Sequence, residues 1–128
     1  VPAWRCDGTA VDLRGESVDA GIAQGSLDDF EEARIIAAWP TMNVDVTESS
    51  IPAETGITDV AVSFTKGCYP GQELVERMDS RGSIAPRQLR YVVVGESTVV
   101  GQEVDHDGRV GLVTSTSGEH ALVAFKRA

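Results

Sequence analysis

The stretch Gln102-Glu103-Val104-Asp105-His106-Asp107-Gly108-Arg109-Val110-Gly111-Leu112-Val113-Thr114 reads as a β-hairpin. Asp107-Gly108 is a two-residue loop whose residue types accept positive φ, matching the twist of the strands it joins. Short runs rich in β-branched residues flank it, Gln102–Val104 before and Arg109–Thr114 after. Two more runs of this texture, Gln88–Val94 and His120–Lys126, lie outside them, with Gly95, Gly101 and Gly118 at the joins. Four short strands at this spacing predict a small antiparallel β-barrel or half-barrel of about 45 residues. So small a unit buries too little apolar surface to be stable alone and is expected to dock on the rest of the chain.

Upstream of residue 82 the sequence turns helical and irregular. Ser26 is a good N-cap, with Asp28 and Asp29 placed to meet the free amides of a first helical turn. Leu27, Phe30, Ala33 and Ala37 repeat at helical spacing, so a helix with an apolar stripe is expected over 27–38, stopped by Pro40. Residues 41–59 read as an ordered, mostly irregular connection, because Asn43, Asp45, Pro52 and Gly56 break any period. Ser50-Ile51-Pro52 could start one helical turn. Ala61-Val62-Ser63-Phe64 reads as a short strand, as does 9–13 near the start. From Gln72 to Met78 a second helix is expected, with Leu74, Val75 and Met78 on one side. The whole is therefore an α+β chain, with residues 1–82 before the boundary and the β unit over 83–128.

Composition narrows the function. The chain has 128 residues, 41% of them hydrophobic, enough for a real core, and no apolar run approaches a membrane span. Eleven Lys+Arg stand against 20 Asp+Glu, a formal net charge of −9, which excludes a broad basic surface for nucleic acid. The charge is uneven. Residues 1–65 carry net −9 and 91–128 net −2, whereas 66–90 carry five basic and three acidic side chains, net +2. Two cysteines, Cys6 and Cys68, far apart and without a secretory signal, favour reduced thiols and a cytoplasmic setting, although spacing alone leaves a disulfide between them open. The start at Val1-Pro2 instead of Met is what a processed chain or a piece of a longer protein would show.

The cationic segment holds the one motif with chemical content, Lys66-Gly67-Cys68-Tyr69-Pro70-Gly71-Gln72-Glu73. A thiol on a Gly-flanked turn just ahead of a helix lies near free backbone amides and the positive end of the helix dipole. Lys66 is two residues away, and Arg77 and Arg81 follow. These influences favour thiolate, the form needed by a nucleophile or a soft-metal ligand. Gly67 and Gly71 allow positive φ or close approach of a ligand. The competing reading is an inert, small hydrophobic Cys near a strand end on an ordinary Gly-Pro turn.

That eight-residue string, followed by Arg77 and Arg81-Gly82, resembles the signature of the YgfZ family, folate-binding proteins related to the glycine-cleavage T-protein (aminomethyltransferase). Glu32-Ala33-Arg34-Ile35, Ile51-Pro52-Ala53-Glu54 and Ala61-Val62-Ser63-Phe64 resemble the stretch leading into it. Gly111–Ser115 and Ala121–Arg127 resemble the family's closing β-barrel. The resemblance covers residue 26 to the end well and 1–25 loosely. It implies the later part of a T-protein-like folate-binding domain followed by the C-terminal barrel, and tetrahydrofolate as ligand. It further implies a role in assembly or repair of iron–sulfur enzymes, with linked tRNA modification. Iron–sulfur enzymes or assembly proteins would be the partners.

By resemblance, Cys68 is the residue tied to activity, a reactive thiol or a transient ligand of an iron–sulfur cluster, with Lys66 beside it. Gly67, Tyr69, Gly71, Gln72 and Glu73 form the motif turn. The implied folate- or anion-binding set is Phe30, Arg34, Arg77 and Arg81. Phe30 occupies an aromatic position ten residues before the proline, where the family pattern leads one to expect Trp. Its place on the helical stripe favours a core role instead. The family's N-terminal region is absent or very short here, and the T-protein's catalytic aspartate falls in that region. An accessory or binding protein is therefore expected before the two alternatives, a folate-dependent aminomethyltransferase or a docking domain with no activity of its own.

Other candidates carry less. Lys66, Arg77, Arg81, Arg87 and Arg90 could make a small cationic patch or be ordinary solvated charge interleaved with Glu73, Glu76 and Asp79. Asp105-His106-Asp107 is better read as a solvated hairpin tip than as a metal cluster. His106 and His120 are lone histidines, no HxxxH, HExxH or CxxC spacing is present, and Trp4 and Trp39 read as packing residues.

Overall fold

The computed structural model describes residues 21, 23–80 and 85–127. The expected strand at 9–13, together with Trp4, Cys6 and Arg81, lies outside them.

Helix α1 (Leu27–Ile36) starts as its sequence demands. The Ser26 hydroxyl accepts from the Asp29 N–H at 3.1 Å, and the Asp29 carboxylate accepts from the Ser26 N–H at 2.7 Å, a complete capping box. The helix ends before Pro40. Ala38 turns left-handed at φ 53°, the Trp39 N–H donates to the Arg34 carbonyl and the Ala38 N–H to that of Ile35, both at 2.9 Å. This Schellman closure terminates the helix even without glycine at the left-handed position. The apolar stripe, however, does not face the core. Leu27 is 83% and Phe30 49% exposed and Ala33 is exposed too, so of the stripe only Ala37, at the C-terminal end, is buried, beside Arg34 and Ile35. The buried face is the one α1 turns toward the sheet, and Arg34 occupies it because charged partners are waiting there.

The four expected strands all form, as β1 (Arg87–Val93), β2 (Glu103–His106), β3 (Arg109–Ser117) and β4 (His120–Lys126). They make one antiparallel sheet in the order β1-β4-β3-β2. Asp107 (φ 55°) and Gly108 (φ 74°) form the tight turn, so that His106 pairs with Arg109. Among the described residues the sheet is open, which corrects the expected barrel. β2 and β1 are both edges, and β2 has only four residues. The chain around Gly56 also crowds the β1 edge, since a Cβ there would lie 3.0 Å from the Leu89 carbonyl oxygen, where a closing strand would have to bond.

β4 is central and buried through Ala121, Leu122 and Val123, consecutive residues that point to opposite faces. Ile35 of α1 packs with Leu89 and Leu122 on one face; Val92, Val113, Val123 and Phe125 cluster with Ala121 on the other. Gly111, in the strand opposite Phe125, leaves room for that ring. A Cβ would come within 2.6 Å of Phe125 and Val123.

Between α1 and the sheet the chain makes a 3-10 turn (Pro52–Glu54) with Pro at its first position, then α2 (Thr58–Ala61) and α3 (Gln72–Ser80). The strand expected at 61–64 is not there. Ala61 closes α2 and Val62–Phe64 are irregular. Asp59 sits in the first turn of α2, where its charge suits the dipole, and Val60 and Phe64 are exposed, with no sheet to receive them. Among the described residues no helix is long and apolar enough to cross a membrane.

Candidate functional site

The motif occupies the turn that feeds α3. Gly71 takes φ 83°, a conformation open to glycine at little cost, and its carbonyl accepts the first helical bonds, from Leu74 and Val75. Gly67 lies outside the left-handed region, and a Cβ there would meet nothing within 4 Å, so of the two flanking glycines the geometry requires Gly71. Cys68 is a free, exposed thiol between them. The described cations around it, Lys66 and Arg77, are engaged elsewhere. Lys66 places its ammonium 4.8 Å from the centre of the Tyr69 ring, and Arg77 pairs with Glu73 one turn away on α3. Gln72 is tied to Glu76 along the same helix. The Tyr69 hydroxyl is buried without a hydrogen-bond partner among the described residues.

Residues 66–77 thus gather the eight motif residues and Arg77 into one segment, whereas Phe30 and Arg34 belong to α1, which packs on β3 and β4. The described members of the expected cationic patch, Lys66, Arg77, Arg87 and Arg90, are divided among separate partners. The Arg87 guanidinium donates to Glu54 at 3.3 Å, and Arg90 donates to the side-chain carbonyl of Gln88 at 2.7 Å. No group of three His, Cys, Asp or Glu among the described residues could hold a metal ion. At the hairpin tip His106 lies 3.6 Å from Asp107, while Asp105 accepts from the Gly108 N–H, as a solvated turn would. His120 is not solitary. Its Nδ1 lies 2.8 Å from the Tyr91 hydroxyl, with the two rings stacked across β1 and β4.

A second constellation escaped the sequence reading. The Asp45 side chain, 0% exposed, accepts four hydrogen bonds, two at each oxygen. Oδ2 takes Arg34 Nη1 at 2.8 Å and the Thr41 N–H at 2.9 Å. Oδ1 takes the hydroxyls of Thr114 at 2.5 Å and Ser115 at 2.7 Å. Neighbours along a regular strand point to opposite faces, so two consecutive hydroxyls on one oxygen need an irregularity. A bulge between Val113 and Ser115 supplies it. Arg34 spends its remaining N–H groups on Glu31, Ser115 and the Trp39 carbonyl. Burial alone would lower the Arg34 pKa, but the hydrogen bond with Glu31 and the charges of Asp45 and Glu31 outweigh it and raise it above its ordinary value. Asp45, read from sequence only as a breaker of periodicity, is the pin that joins α1, the 41–46 loop and β3.

No family model matches the chain, and no solved structure does. Curated relatives do. The chain is 35% identical over 75 residues to a protein named "tRNA-modifying protein YgfZ" from Yersinia enterocolitica, covering 56% of this chain and 22% of that one. It is 37% identical over 67 residues to proteins of the same name from Yersinia pestis and Yersinia pseudotuberculosis, covering 52% of this chain and 20% of theirs. The matched stretch therefore spans about a fifth of the relatives' length. Over about half of its own length, this chain is a partial match to the YgfZ family.

Proposed function

We propose that this chain supplies the thiol-bearing segment of a YgfZ-like accessory protein, one that supports tRNA modification through assembly or repair of iron–sulfur enzymes. The observation that carries the reading is Cys68, a free thiol exposed to solvent on the Gly71 turn ahead of α3. The relatives' shared name adds the link to tRNA. A solvent-facing thiol can attack an electrophile or take a metal from a partner; a buried structural cysteine can do neither. With no three-ligand group among the described residues, Cys68 would contribute one ligand to a transient cluster, and the partner the rest.

Tetrahydrofolate is proposed for the whole protein only. Within this chain Arg34 does not fit that role, because its N–H groups are committed to Glu31, Asp45, Ser115 and the Trp39 carbonyl. Phe30 and Arg77 are the described residues left for it, and no step is assigned to the ligand here. A maleimide probe should label Cys68 in the folded chain at neutral pH, and Cys68→Ala should remove the labelling while leaving the urea midpoint unchanged. Labelling that appears only after unfolding would sink the accessible thiol, and full tRNA modification by a longer protein carrying Cys68→Ala would sink its role.

A further inference from the structure

Helix α3 and the sheet have no strong packing on each other; both pack on the turn Pro52–Glu54. On the α3 side that contact is loose. A cleft of about 270 Å³ opens between the turn and the helix, lined by Pro52, Ala53, Thr58, Leu74, Val75 and Met78. On the sheet side it is specific. Glu54 is buried, its carboxylate accepts from the Ile51 N–H and from Arg87 Nε of β1, both at 3.3 Å, and Arg87 itself is half exposed. From residue 58 to residue 80, Val75 alone is buried.

We infer that residues 62–80 form an arm hinged on the Pro52–Glu54 turn, and that the Glu54–Arg87 ion pair is the latch that sets the arm's resting position on the sheet. This goes beyond the reading of Cys68, since the hinge is a property of the fold whatever the thiol does. An open cleft on one side of the turn, against backbone packing on β1 pinned by the Glu54–Arg87 pair on the other, makes the arm the part that opens first, while the sheet stays folded.

Hydrogen exchange on the 128-residue chain tests this. Amides of Val75–Ser80 should exchange at least about tenfold faster than those of Ala121–Phe125. Arg87→Met lies outside α3, and its half-exposed position leaves the core intact. It should speed exchange in Val75–Ser80 about fivefold and leave Ala121–Phe125 within about twofold. Glu54→Gln, which keeps the bond to the Ile51 N–H but loses the charge pair, should act in the same direction. Equal acceleration of both regions would overturn the inference, because the chain would then open as one unit. So would an unchanged rate in α3, because the helix would then fray by itself, without a latch on β1.

Discussion

The sheet and the motif segment are built on opposite terms. In the sheet, β4 buries three consecutive residues, and the contact of β3 with α1 includes a buried carboxylate that meets four donors. Across 62–80 one residue is buried, and the polar contacts are local ones: Glu73 to Arg77, Gln72 to Glu76, Lys66 to the neighbouring Tyr69 ring. Exposed pairs of this kind stabilise by about 0.5 kcal/mol or less each, whereas a satisfied buried network is coupled to the whole fold. Stability is thus concentrated where the motif is not. The motif is free to present a thiol, and a substitution there should be felt in chemistry before it is felt in folding.

The sharpest way to break that contrast is at Asp45. Asp45→Ala leaves the Arg34 charge buried with Glu31 as its remaining carboxylate, orphans the Thr41 N–H, and leaves the Thr114 hydroxyl only the Leu122 carbonyl and the Ser115 hydroxyl only Arg34. Removing one partner of a buried pair costs about 3–5 kcal/mol. Urea unfolding should show a loss near about 3 kcal/mol, since Glu31 holds part of the Arg34 guanidinium, and the Cys68 labelling rate below the transition should not change. A loss under about 1 kcal/mol would mean that the pin holds nothing, and the comparison would lose its stable half.

What the sequence made legible follows the same division. The hairpin turn, the four strands and the capped start of α1 rest on local rules, and each appears where residue type placed it. Closure into a barrel did not follow, because it depends on what lies against the β1 edge, and Gly56 is remote from that edge in sequence. The α1 stripe was misassigned for a related reason. Periodicity reports that a face is apolar but not which face meets the sheet, and a buried Arg34 is legible only once Asp45 and Ser115 are known to converge on it. The 61–64 strand failed because Val62 and Phe64, the residues that suit a strand, have no neighbouring strand among the described residues whose ladder they could join. The motif itself was legible as a string and as a turn before a helix. The engagement of Lys66 with Tyr69 was not, since a ring contact depends on side-chain placement.

A smaller and pH-dependent effect separates the cap of α1 from the buried pin. The Asp29 carboxyl is held below its ordinary value because the Ser26 backbone N–H, and then the Ser26 hydroxyl, donate to it. A carboxyl whose folded pKa is depressed contributes stability that is complete above its unfolded value of about 3.9 and is lost as pH falls through the folded value. The urea midpoint of the unmodified chain should therefore exceed that of Asp29→Asn at pH 6, and the difference should shrink below about pH 4. A difference that grows toward acid would reverse the sign and remove the cap from the account.

The smallest effect is expected at Tyr69, and it tests the motif half directly. The hydroxyl is buried with no partner among the described residues, so removing it forfeits no hydrogen bond to them and relieves a group that is costly to desolvate. The ring stays for the Lys66 ammonium to rest on, since a phenyl face carries the same quadrupole. Tyr69→Phe should leave the urea midpoint within about 0.5 kcal/mol of the unmodified chain and the Cys68 labelling rate within about twofold. Tyr69→Ala, which removes the ring, should change the labelling rate more than it changes the midpoint. If Tyr69→Phe instead lowered stability by more than about 1 kcal/mol, the hydroxyl would be bonded within the fold, and the motif turn would belong to the core it is here contrasted with.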